Sequence, residues 1–90
     1  MGYTITLVED DALILELITN FLTSSGKFEK IDTYNDGSVF LRSVEHTWQE
    51  LNAVVLDFKL GGMNADMVLR ELHEKNIELP VIILTSHYNE

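Results

Sequence analysis

Three short apolar runs, each closing on polar residues, restrict this chain more than any other feature. Thr4-Ile5-Thr6-Leu7-Val8 closes at Glu9-Asp10, Ala53-Val54-Val55-Leu56 at Asp57, and Val81-Ile82-Ile83-Leu84 at Thr85-Ser86. Runs this short and rich in β-branched residues read as strands buried on both faces. Phe28 to Tyr34 alternates more, as an edge strand does. Helical patterns lie between them. Asp11 is placed to cap a helix carrying Ile14, Leu17, Ile18, Phe21 and Leu22, which Ser24-Ser25-Gly26 ends. Gly37-Ser38 precedes a second helix with Phe40, Leu41, Val44 and Trp48. Asn64 or Ala65 starts a third, with Val68, Leu69 and Leu72 inward. The order β-α-β-α-β-α-β with helix-length connections predicts a parallel α/β sheet, doubly wound, with helices on both faces.

Ninety residues make one domain, residues 1–90. A hydrophobic fraction of 46% excludes a disordered chain, and the absence of cysteine excludes disulfides and Cys-based zinc sites. Fifteen acidic residues against six basic ones give a net charge of −9. That balance argues against direct nucleic-acid binding and against anionic membranes, and suits a chain that handles cations or basic partners. No apolar run approaches a membrane span and no signal peptide is visible, so a cytoplasmic protein is expected.

Open parallel sheets bind ligands outside the carboxyl ends of their strands. Those ends deliver Glu9, Asp10 and Asp11 from the first strand, Asp57 from the third, and Thr85, Ser86 and His87 from the fourth. Capping a helix explains Asp11 fully. Asp57 follows four apolar residues, and a carboxylate there needs a partner. If the first and third strands are neighbours, several carboxylates meet, which is costly unless a cation or a proton neutralises them. All-oxygen ligands in a site too sparse for a full protein cage suit Mg²⁺ with retained waters, and Mn²⁺ would also fit. His46 and His73 lie on helical stretches and are expected to face solvent.

Five segments together resemble the receiver domain of bacterial two-component response regulators. They are Leu7-Val8-Glu9-Asp10-Asp11, Asp36-Gly37, Val54-Val55-Leu56-Asp57, Leu60-Gly61-Gly62-Met63-Asn64-Ala65, and Leu79-Pro80-Val81-Ile82-Ile83-Leu84-Thr85-Ser86. The resemblance implies a flavodoxin-like, CheY-like sheet of order 2-1-3-4 for the strands present, the topology of a known example of that fold. It implies that Asp57 is the phospho-acceptor, taking a phosphoryl group from the phosphohistidine of a histidine kinase or phosphotransfer protein. Asp10 would ligate Mg²⁺ directly, Glu9 through water, and the backbone carbonyl of Lys59 would add a ligand beside Asp57. Thr85 would be the switch hydroxyl that moves to the acyl phosphate and signals to an output domain or partner. The resemblance also implies that Lys59 and His87 occupy positions that, in that family, tune how long the phosphate survives. The pattern departs at Gly61 (usually Pro), Ala65 (usually Gly), Ser86 (often Ala) and Tyr34 (often Ala).

A receiver of ordinary length continues with a helix, a fifth strand and a final helix. That strand carries a phosphate-gripping Lys, and none of the six basic residues takes its place. The resemblance therefore implies a chain cut after the fourth strand, impaired in phosphotransfer, with an apolar edge open to homo-oligomers or strand exchange. A receiver-like interaction module without phosphotransfer is the alternative. A Mg²⁺-dependent aspartyl phosphohydrolase fits less well, because no carboxylate stands two residues after Asp57. A nucleotide module lacks its Gly-rich loop. No enzyme is expected.

Overall fold

The computed structural model describes residues 2–60 and 63–84, with the backbone but not the side chain of Lys59. The elements run β1 (Tyr3–Val8), α1 (Ala12–Ser25), β2 (Phe28–Tyr34), α2 (Gly37–Thr47), a 3₁₀ turn (Trp48–Glu50), β3 (Ala53–Asp57), β4 (Lys59–Leu60), β5 (Met63–Asn64), α3 (Ala65–Glu74) and β6 (Val81–Leu84). The main sheet has the order β2-β1-β3-β6, all parallel, with β2 at one edge. This is the expected 2-1-3-4 arrangement, the fourth sheet strand being β6.

Register follows from the apolar runs. Thr6 pairs with Val54 and Val8 with Leu56. Because side chains alternate along a strand, Val8, Val54 and Leu56 share one face. They pack with Phe40, Leu41 and Val44 of α2 and Ala65, Val68 and Leu72 of α3 into one core. Ile5 and Leu7, also buried, point to the opposite face, where α1 lies against β1 and β2. A Lys75–Glu45 ion pair at 3.2 Å ties the end of α3 to α2.

The helix ends obey local chemistry. Asp11 Oδ1 accepts from the N–H groups of Leu13 and Ile14 at 2.9 and 3.2 Å. Gly26 terminates α1 with φ +72°, a left-handed conformation that costs glycine nothing. Asn64 caps α3 through Met67 N–H at 3.1 Å. Asp36 caps α2, accepting from the Ser38 and Val39 N–H groups, and Gly37 and Ser38, expected to precede the helix, form its first turn.

Four expectations change. No residue of α1 is buried: Leu17 is 60% and Phe21 75% exposed, so only part of its apolar face meets the sheet. Leu69 points outward from α3, while Val68 and Leu72 point in. Trp48 is half-buried in the 3₁₀ turn after α2. The run Val81–Leu84 is not buried on both faces, because β6 pairs only with β3 among the described residues and leaves Ile82, Ile83 and Leu84 exposed. Beyond these four, the segment after Asp57 contains an antiparallel hairpin of two short strands, β4 against β5.

Candidate functional site: a carboxylate cluster at the strand ends

β1 and β3 are neighbours, and pairing Val8 with Leu56 carries Glu9 and Asp57 out side by side at their carboxyl ends. Glu9 is buried, Asp57 half-buried, and Asp10 exposed. One oxygen from each lies within 4.8 Å of the others, and these three form a cluster with metal-binding spacing. Asp11, the third acid of the Glu9–Asp11 run, turns away to cap α1.

Backbone hydrogen bonds hold each part. Glu9 N–H donates to the Tyr34 carbonyl at 3.0 Å, anchoring the end of β1 to β2. Glu9 Oε2 accepts from Asp11 N–H at 3.0 Å. Beyond Asp57, Phe58 N–H donates to the Leu84 carbonyl at 2.9 Å and the Phe58 carbonyl accepts from Ala65 N–H at 2.8 Å. These two bonds join the base of the hairpin to β6 on one side and α3 on the other.

The electrostatics show what a cation or a proton would relieve in such a cluster. Burial is the main cause that pushes the Glu9 carboxyl above its ordinary range, and the Asp11 N–H works against it. The negative charges of Asp57 and Asp10 push it further up. Hard oxygen donors, some of them taken out of water, match Mg²⁺, which keeps several waters and takes few protein carboxylates. The donor set therefore fits the ion that the sequence suggests.

Of the residues singled out from sequence, Glu9, Asp10 and Asp57 come together, and the Lys59 backbone enters β4 immediately beyond them. Thr85, Ser86 and His87 lie outside the described residues, as do Gly61 and Gly62. His46 and His73 are exposed, as expected. The hairpin and the Tyr34 carbonyl that fixes Glu9 carried no readable signal: two-residue strands leave no periodicity, and a backbone acceptor has no residue type.

A family model described as the response regulator receiver domain matches residues 5–90. The regulatory protein VanRB of Enterococcus faecalis is 34% identical over 87 residues, covering 96% of this chain and 37% of that protein. A protein-glutamate methylesterase/protein-glutamine glutaminase of Treponema denticola is 32% identical over 82 residues, covering 91% of this chain and 22% of that one. The chain thus spans well under half the length of these curated relatives. Among solved structures, the MaeR response regulator bound to beryllium trifluoride superposes with a TM-score of 0.83 at 24% identity, covering 99% of this chain and 70% of its own. The CheX–CheY–BeF3–Mg complex of Borrelia burgdorferi gives 0.85 at 23% identity, covering 98% and 65%. Both share the fold described above. With a match running from β1 to the last residue, the chain belongs to the response regulator receiver domain family, the phospho-acceptor domains of two-component signalling.

Proposed function

We propose that Asp57 is the phospho-acceptor of this receiver domain and that Glu9, Asp10, Asp57 and the Lys59 carbonyl hold a Mg²⁺ ion for the transfer. The observation that carries the reading is the meeting of three carboxylates within 4.8 Å at the ends of β1 and β3. An oxygen of Asp57 attacks the phosphorus of a phosphohistidine. The P–N bond breaks, its electron pair stays on the imidazole nitrogen, and an acyl phosphate forms on Asp57. Bound Mg²⁺ supplies neutralisation of the charge gathered on the transferring group, which is most of what such a transfer requires. The protein's own share is positioning: Glu9 is held by two backbone hydrogen bonds, and Asp57 ends a strand paired on both sides. Mn²⁺ fits the same donors.

Thr85 is the switch hydroxyl in this reading, one residue past Leu84, whose carbonyl is bonded to Phe58 N–H. The donor is a histidine kinase or phosphotransfer protein, the receiver of the signal is an output domain or partner, and the location is cytoplasmic. Labelling of the full-length protein by a small acyl or amido phosphodonor tests the acceptor. Mg²⁺-dependent label that disappears in Asp57→Asn is expected. Label that survives Asp57→Asn or excess chelator, or no label in the wild type, overturns the assignment.

A further inference from the structure

Gly37 opens α2 and is buried, yet its φ is not positive, so its backbone conformation does not require glycine. Space does. A Cβ at position 37 would lie 3.1 Å from Met63 Sδ, 3.4 Å from Val68 Cγ2 and 3.6 Å from Leu60 Cδ1. Met63 and Leu60 are partners across the β4–β5 hairpin, and Lys59 is the hairpin's first residue, paired with Asn64. The first residue of α2 is therefore pressed directly onto the segment that carries the Lys59 carbonyl.

We propose that Gly37 is a positioning residue for the metal site: its missing side chain lets the start of α2 seat the Lys59–Asn64 hairpin and so sets where the Lys59 carbonyl points. The inference rests on the reading of that carbonyl as a Mg²⁺ ligand. The hairpin's base is held by the Phe58–Leu84 and Phe58–Ala65 backbone bonds, and beyond that base Leu60 and Met63 pack on α2 and α3. Extra volume at a packed contact forces side chains off their rotamers and shifts the backbone that carries them. A two-residue hairpin gives more easily than α2, which is fixed in the core by Phe40, Leu41 and Val44.

Helix propensity makes the opposite prediction, since Ala strengthens a helix relative to Gly. The two effects separate in one experiment on the full-length protein, Mg²⁺ titration by calorimetry with circular dichroism as the check on folding. Gly37→Ala should bind Mg²⁺ about 10-fold more weakly, the scale of losing a residue that orients a metal ligand. Adding Met63→Ala to that variant removes the atom in closest contact and should restore affinity to within about twofold of Met63→Ala alone, as coupled neighbours do. Gly37→Ala binding like wild type, or a double variant as weak as Gly37→Ala, overturns the inference. If Gly37→Ala loses its folded signal, Met63→Phe crowds the same contact from the hairpin side: weakened binding supports the inference and wild-type binding overturns it. A wild type that takes no Mg²⁺ overturns the ligand reading and this inference with it, an outcome distinct from any failure confined to the variants.

Discussion

The backbone N–H of Asp11 donates to Glu9 Oε2 at 3.0 Å while the Asp11 carboxylate caps α1 two and three residues on. One residue thus starts the helix and steadies a buried acid of the cluster, using different atoms for the two tasks. The Asp11 side chain is committed to α1, and only its N–H serves the site.

Glu9 is destabilising when charged and metal-free. Its folded pKa lies above the ordinary glutamate value of 4.5, chiefly through burial. The fold therefore favours the protonated form. The stability it contributes is complete below pH 4.5 and is lost as the pH rises through the raised value. In chelator at neutral pH, Glu9→Gln should melt at a higher temperature than wild type, and the gap should close below pH 4.5. Thermal melts at both pH values check this; a lower melting temperature for the variant at neutral pH would count against the electrostatic account.

Mg²⁺ should act in the other direction. An ion bound only by the folded state stabilises it by about 2.7 kcal/mol at 100 times its Kd. Melting temperature should rise with added Mg²⁺ and fall back on chelation. Asp10→Asn should lose most of the rise, because Asp10 contributes one of the three clustered oxygens. A full rise in that variant would remove Asp10 from the ligand set.

Asp11→Ala should cost about 1 kcal/mol in urea unfolding, the usual loss for an N-cap side chain. Its Mg²⁺ affinity should stay close to wild type, since alanine keeps the N–H that Glu9 accepts. A parallel collapse of affinity would show that the carboxylate of Asp11 belongs to the site after all.

Phe40→Ala should cost about 3–5 kcal/mol, the range for emptying a packed aromatic site. Phe40 is 1% exposed and its ring meets Tyr34 at a centroid distance of 5.9 Å. Phe21→Ala, at 75% exposure, should stay within about 0.5 kcal/mol of wild type. Chemical denaturation of both variants gives the comparison, and equal costs would contradict the assigned core.

The strands were legible because a strand buried between layers is almost continuously apolar: Ala53–Leu56 is, and Ile5–Val8 is interrupted only by the small, β-branched Thr6. The carboxylate cluster was legible for a related reason: acids that interrupt such runs stand at the strand ends, where parallel sheets place their sites. The helix faces were read less well. Leu17, Phe21 and Leu69 have the spacing of inward residues, yet all three are exposed. Periodicity finds the apolar stripe of a helix but not how much of it a neighbouring layer covers.

What the sequence by itself determined is the alternation of strand and helix, the cap at Asp11, and the identity of the acids Glu9, Asp10 and Asp57. These follow from local propensity and from side-chain chemistry close in the chain. Tertiary structure alone decided that β1 lies beside β3, so that residues 9 and 57 meet. It also decided that a hairpin follows Asp57 and that Gly37 presses on it. Those relations join residues far apart in the chain through backbone pairing and close packing. Neither leaves a pattern in the order of side chains, because a backbone hydrogen bond is blind to residue type and a packing contact is set by volume in three dimensions.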